Sequence, residues 1–351
     1  MDNDLLSRTK VFMHPDRFAE WFNTGTTLPI TAQLDPTNRC NYDCSQCAGL
    51  RIDRNAELSL EQMTRIIDQL APFIRGIEFT GGGEPLMNKQ TPEAMVYAND
   101  KKISVALDTN GHLLTPRIID QILLSNPVYI RISLDAINSA MHRLNKGTQS
   151  NESFEMVKKN IASLVAAKNQ LTSGCTIGVA YLTDYSDDAN TISDFITTAK
   201  NLGVDYAQFR PYHHSNANFI HTIEEFDPLL YTGNFKTPFS WDKFKILFSR
   251  DKYEKIRGTY TIPHADEFRI VVSATGDIYP DCFTRGIKNF SYGNLLTDDF
   301  KDIWRSYRRK QITESKLQQP NCPKQCYYDA LSQALEDINV QKNNDKHNNF
   351  V

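Results

Sequence analysis

The stretch Cys40-Asn41-Tyr42-Asp43-Cys44-Ser45-Gln46-Cys47 decides how this chain is read, because it sets three thiols at C-x-x-x-C-x-x-C spacing on one short loop. It follows directly on Ile30–Asp35, a run with the residues of a β-strand. Three thiolates on a tight loop can hold three irons of a four-iron cluster, leaving the fourth iron open to a chelating ligand. A zinc site is the competing reading, but structural zinc takes four ligands and the neighbouring sequence offers no fourth Cys or His at a usual spacing.

Outward from that loop, short β-rich runs alternate with amphipathic helical stretches. Strands are expected at Ile30–Asp35, Gly76–Thr80, Ile103–Asp108, Val128–Leu134, Thr176–Leu182 and Val204–Arg210. Each but the last is followed by a helical pattern, clearest at Ser59–Leu70, Thr115–Leu124, Ser153–Lys168 and Asp187–Leu202. Ser59 with Gln62 forms a capping box, and Gly203 is a helix exit. Six βα units predict an α/β fold with a parallel sheet. Periodicity does not separate an open doubly wound sheet from a partial barrel, but in both the active residues gather where strands end.

The 351 residues, 40% hydrophobic and 23% charged, can bury one large α/β domain and a smaller one. A net charge of -3 gives no general attraction to nucleic acid or anionic lipid, and Arg305, Arg308, Arg309 and Lys310 read as a solvated helix face. Met1–Lys10 lacks the apolar run of a signal peptide and no stretch reaches the roughly 18 apolar residues of a membrane span, so a cytoplasmic protein is expected. Seven cysteines is an odd number, and six fall in two groups, which favours metal ligation over disulfides.

The expected organisation is an N-terminal extension over 1–29, the βα region over 30–211, a bridging segment over 212–261, a small α+β domain over 262–340 and a frayed tail over 341–351. In the small domain, Glu267–Ser273, Thr275-Gly276-Asp277 and Ile278–Tyr279 read as a hairpin, and Asp298–Tyr307 as a short helix.

A second loop, Thr80-Gly81-Gly82-Gly83-Glu84-Pro85, follows the second strand. Its glycines permit a close approach to the backbone, and its glutamate can accept from an amine. With the cysteine loop it resembles the radical S-adenosylmethionine (SAM) superfamily, in which a three-cysteine loop follows strand one and a Gly-Gly-Glu motif follows strand two. The resemblance implies a partial (β/α)6 TIM-like barrel. It implies that Cys40, Cys44 and Cys47 ligate a [4Fe-4S] cluster and that Gly82, Gly83 and Glu84 meet the methionine amino group of SAM. Asn110, Ser133 and Arg210 at later strand ends, and Arg131, are the implied further SAM contacts. Asp135 has the alternative of capping the next helix, and Arg210 of pairing with a carboxylate. The family usually has an aromatic residue before the third cysteine, where this chain has Gln46; Tyr42 is a candidate stand-in.

Cys282 and the later Cys322-Pro323-Lys324-Gln325-Cys326 form the second group. They resemble the SPASM or shorter twitch extension of radical SAM enzymes and imply one auxiliary iron–sulfur cluster. Zinc or a disulfide is the alternative. The fourth ligand is open, with His264 a candidate. Cys175, at the start of a strand and so at the opposite end of the sheet from the active rim, reads as a buried structural thiol.

By the same resemblance, an electron from a flavodoxin or ferredoxin lets SAM yield a 5′-deoxyadenosyl radical that takes hydrogen from substrate. The auxiliary cluster would accept an electron or orient substrate, which points to oxidation, cross-linking or epimerisation. Family members act on peptides, sugars and aminocyclitols. The thirty or so residues before strand one are short for a fused peptide-recognition domain, so a sugar-like metabolite is the first expectation and a peptide read by a separate partner the alternative. Tyr212, His213, His214 and Asn216 line the substrate cavity in one reading and a polar interdomain loop in the other. A noncatalytic iron–sulfur sensor or electron-transfer protein, or a zinc scaffold, would be the rival class.

Overall fold

The computed structural model describes residues 8–45, 47, 52–183, 187–211, 240–241, 244–248, 260–319 and 328–342. Eleven strands among the described residues form one sheet: β1 (Thr31–Leu34), β2 (Gly76–Phe79), β3 (Ser104–Thr109), β4 (Tyr129–Ser133), β5 (Thr176–Thr183), β6 (Tyr206–Pro211), β7 (Ser240–Trp241), β8 (Phe244–Phe248), β9 (Arg269–Val272), β10 (Asp277–Tyr279) and β11 (Gly293–Asn294). Their order is β11-β10-β9-β1-β2-β3-β4-β5-β6-β8-β7. From β9 through β1 to β6 and β8 every pairing is parallel. This is an unclosed, TIM-like α/β barrel with an antiparallel hairpin, β9–β10, at one side. Each of the six expected strands lies within two residues of its observed bounds.

Two strands were not legible as barrel members. β8 lies in the segment read as bridging, and β9, read only as half of a hairpin, also pairs in parallel with β1. The small C-terminal portion therefore extends the barrel sheet.

The period of two divides each strand between faces. Ala32, Leu34, Ile77, Phe79, Val105, Leu107, Ile130, Ile132, Ile177 and Val179 are buried in the main core. That core includes buried residues of α2 (Leu60–Leu70), α3 (Thr91–Asp100), α4 (Pro116–Leu124), α6 (Ser153–Gln170) and α7 (Ala189–Asn201). The opposite face carries Gln33, Glu78, Asp108, Arg131 and Gln208, a polar lumen. Ser59 and Gln62 make both bonds of the predicted capping box on α2.

A smaller core joins α1 (Pro15–Thr24) to α10 (Asp329–Lys342) through Trp21, Ile30, Phe268 and Leu335. Between lie α8 (Phe300–Arg305) and α9 (Tyr307–Ser315). Here the reading of Arg305, Arg308, Arg309 and Lys310 as a solvated face holds for three of the four, which are exposed, and is corrected for Arg309. Arg309 turns inward, holds both oxygens of Glu267 at 2.8 and 3.0 Å, and stacks over Trp304. Of the expected tail, 343–351 lies outside the described residues, and α10 runs to Lys342. No helix among the described residues is long and apolar enough to cross a membrane.

Candidate cofactor site at the strand ends

The loops after β1, β2 and β3 meet at the C-terminal rim of the parallel strands, where an α/β barrel collects its functional groups. Gly83 presses on the backbone before Cys40, and Gly82 on the side chains of Asn38 and Ile52. A Cβ on Gly83 would stand 2.1 Å from the Arg39 carbonyl oxygen, and one on Gly82 would stand 2.6 Å from Asn38 Oδ1. The Glu84 amide donates to Arg39 O at 2.8 Å. Only glycine fits two backbones this close.

Glu84 is 2% exposed. Its carboxylate accepts from Thr109 Oγ1 at 2.6 Å, the Asn110 amide at 2.7 Å and the Leu86 amide at 3.2 Å. Asn110 in turn donates Nδ2 to Asn41 Oδ1 at 2.8 Å. Glu84 and Asn110 thus staple all three loops. Burial raises the Glu84 carboxyl above the usual range, and these donors work against that rise.

Cys40, Cys44 and Cys47 are half-buried. The Tyr42 amide points at Cys40 Sγ, 3.5 Å away. Burial raises the Cys40 thiol and pushes Cys44 up to about 11, with Lys146 nearby opposing the rise at Cys44. Iron binding must therefore displace protons, so cluster assembly releases acid. Asn38 Oδ1 and Asn41 Nδ2 are buried beside this loop without hydrogen-bond partners among the described residues. Three half-buried free thiols on one short loop, with buried polar atoms beside them, have the chemistry of a cluster site with a polar ligand. Gln46 lies outside the described residues.

Tyr42 does not stand over the loop as an aromatic lid. It is buried, and its hydroxyl sits 3.0 Å from His112 Nδ1, 3.3 Å from His142 Nε2 and 2.7 Å from Ser153 Oγ. Asp135 forms a buried ion pair with Lys146 at 2.7 Å and accepts the Leu182 amide at 2.9 Å, while Asn138 caps α5 (Ser139–Lys146). The helix-cap alternative for Asp135 is thereby corrected. Gly147, at φ +61°, closes α5 with its Cα against the Asp43 carbonyl, where a Cβ would stand at 2.1 Å. Sequence reasoning missed His112, His142, Ser153 and Lys146, which are distant in the chain from the cysteines they support.

His142 yields a pH prediction. Burial, with Lys146 nearby, depresses its imidazole to about 4. A base that binds its proton less readily folded than unfolded contributes stability above its unfolded pKa of about 6.5, and that contribution is lost as pH falls toward 4. Urea unfolding is expected to show stability dropping by on the order of 2 kcal/mol from this residue over that window. His142→Gln should flatten the window; an unchanged slope would show that another group dominates.

Arg131 lies one strand repeat below Ser133, inside the lumen. It is ion-paired with Asp108 and stands 3.8 Å from Glu78, which also accepts from Tyr129 and, at 2.6 Å, from Gln33. Burial, opposed by Arg131, pushes Asp108 up to about 7. Ser133 is half-buried at the rim, and Arg210 ends β6 with its buried Nε lacking a hydrogen-bond partner among the described residues. Burial and the facing Arg131 lower the Arg210 pKa.

In the C-terminal portion Cys282 is half-buried, whereas Cys322 and Cys326 lie outside the described residues, as do Tyr212, His213, His214 and Asn216. His264 Nε2 is 2.6 Å from Glu336 Oε2 and its ring packs edge-on against Trp21, so the imidazole is engaged by protein. Cys175 is buried at the far end of β5, with burial pushing its thiol up to about 12.

The radical SAM superfamily pattern matches residues 34–195, spanning the cysteine loop and the rim just described. The chain belongs to the radical SAM superfamily. An iron–sulfur cluster-binding SPASM domain matches 264–327. The first domain implies SAM and a [4Fe-4S] cluster, the second auxiliary iron–sulfur clusters. Mycofactocin maturase MftC of Mycobacterium tuberculosis is 31% identical over 152 residues, 43% of this chain and 38% of that protein, so the match covers well under half of the relative. The tungsten-containing aldehyde ferredoxin oxidoreductase cofactor-modifying protein of Pyrococcus furiosus is 23% identical over 82% of this chain and 85% of its own length. Among solved structures, Streptococcus suis SuiB bound to its precursor peptide SuiA aligns over 90% of this radical SAM chain and 74% of its own, at 14% identity and a TM-score of 0.62.

Proposed function

We propose that this protein is a radical SAM enzyme that abstracts a hydrogen atom from a peptide substrate. When bound, SAM and a reduced [4Fe-4S] cluster supply the abstracting 5′-deoxyadenosyl radical. The carrying observation is the joined rim, where the cysteine loop, the Gly82–Glu84 loop and Asn110 are locked together by Glu84.

Cys40, Cys44 and Cys47 would hold the cluster. Gly82 and Gly83 would offer backbone at close range to the methionine end of SAM, and Glu84 would hold that loop in place. Ser133 and Arg210, near the ends of their strands, would contact the rest of SAM, with Arg210 Nε, unpartnered among the described residues, suited to a carboxylate. Arg131, paired with Asp108, would shape the lumen beneath. Cys282, Cys322 and Cys326 would hold an auxiliary cluster.

The polar lumen supports a substrate with hydrogen-bonding groups over an apolar one. SuiB is bound to a precursor peptide in its structure, and MftC is a maturase, which together shift the preference from a sugar-like metabolite to a peptide. The reductant would be a flavodoxin or ferredoxin in the cytoplasm.

The test is 5′-deoxyadenosine release by reconstituted enzyme, with SAM and dithionite, in the presence of pooled short peptides or pooled sugars and aminocyclitols. Stimulation above the substrate-free rate by peptides alone supports the proposal. Stimulation by the sugar pool alone overturns the peptide assignment.

A further inference from the structure

Two loops with proposed iron ligands meet at one buried ion pair. Asp35 ends the run from β1 into the cysteine loop, and its side chain is fully buried. Arg285, three residues beyond Cys282, places Nε 2.6 Å from Asp35 Oδ2 and is itself almost completely buried. The Asp35 amide donates to Val272 O of β9 at 2.9 Å. The Asp35 carboxylate therefore ties the run into the cysteine loop to the Cys282 loop, and the glycine loop packs in turn on that cysteine loop at Arg39.

The other flank of Cys282 is pinned as well. Asp281 pairs with Lys316, which also holds Asp266 at 2.7 Å. Asp281 Oδ1 accepts the Phe283 and Thr284 amides at 2.8 and 2.9 Å, winding the loop tightly between its two anchors. Buried ion pairs are expensive in desolvation and bring little net stability over an apolar contact, whereas breaking one leaves an uncompensated charge. An apolar contact would hold the loops together with freedom to slide. A buried charge pair penalises any arrangement that separates its two ends.

We infer that Asp35 and Arg285 are positioning residues that set the Cys282 loop against the Cys40–Cys47 and Gly82–Glu84 loops, fixing the auxiliary-cluster region relative to the SAM site. The inference rests on the proposed ligand role of Cys282. That role is tested separately by iron content: full iron in a Cys282→Ala variant would remove the ligand reading while leaving the loop coupling to be judged by the following measurement.

The experiment uses the full reconstituted chain as wild type, Arg285→Met, Arg285→Lys and the charge-neutral double variant Asp35→Asn/Arg285→Met. Hydrogen exchange is followed in 36–45, 76–84 and 281–287, together with the change in the electron paramagnetic resonance signal of the reduced cluster when SAM is added. Arg285→Met is expected to speed exchange at least tenfold in all three segments and to weaken the SAM-induced spectral change. The double variant is expected to recover most of both, because no charge is left unpaired. If Arg285→Met fails to fold, Arg285→Lys carries the test, with faster exchange expected in the same three segments. Faster exchange confined to 281–287, or no recovery in the double variant, would overturn the inference.

Discussion

Gly83→Ala is expected to abolish detectable SAM binding and to lower stability by about 1–3 kcal/mol or more, the cost of forcing extra volume into a packed site. The new methyl would stand 2.1 Å from the Arg39 carbonyl oxygen and 2.4 Å from the Asn38 carbonyl carbon. Both neighbours are backbone, so no side chain can swing aside. The cysteine loop must move relative to the glycine loop, which also breaks the Glu84 amide bond to Arg39 O. Equilibrium dialysis with SAM and a thermal melt on reconstituted protein read both effects. Gly174→Ala is the control, since nothing lies within 4 Å of a Cβ there; it should bind SAM like wild type. Retained SAM affinity in Gly83→Ala would mean that the close approach is incidental.

The second large effect is expected from Glu84→Gln. The carboxylate accepts at both oxygens, from Thr109 and Leu86 at Oε1 and from Asn110 at Oε2. An amide accepts at one position only, so its NH2 must face a donor, leaving a buried group unsatisfied at a cost of about 1–3 kcal/mol. SAM affinity is expected to fall by at least tenfold as the three loops loosen. Thr109→Val removes one opposing donor, so the double variant Glu84→Gln/Thr109→Val should cost less than the sum of the two singles. Full additivity would show that Glu84 does not act through Thr109. A sensor with no need of SAM would keep its function in Glu84→Gln.

The barrel strands were readable because apolar and polar residues alternate on runs such as Tyr129–Ser133, and because helix signals such as Ser59 and Gln62 separate them. The cysteine and glycine loops were readable because their chemistry is compressed into eight and six consecutive residues. What supports them was not. Tyr42 meets His112, His142 and Ser153 across 70 to 111 positions, and Asp35 meets Arg285 across the whole barrel. No periodicity records such contacts.

Single residues were misread for the same reason. Arg309 looks solvated within Arg308-Arg309-Lys310, and only the fold shows Glu267 and Trp304 waiting for its guanidinium. Asp135 looks like a cap by its place after a strand, yet its φ of +49° turns it toward Lys146. At Glu84 the fold adds bonds to Thr109 and Asn110 that local sequence does not contain.

The most direct test of the central claim is chromatography for 5′-deoxyadenosine after anaerobic reconstitution with iron and sulfide and addition of SAM and dithionite, comparing wild type with the Cys40→Ala/Cys44→Ala/Cys47→Ala triple variant. The account predicts 5′-deoxyadenosine from wild type, none from the triple variant, and residual iron in that variant from the auxiliary site. Equal 5′-deoxyadenosine from both proteins, or none from fully reconstituted wild type with either substrate pool, would contradict it.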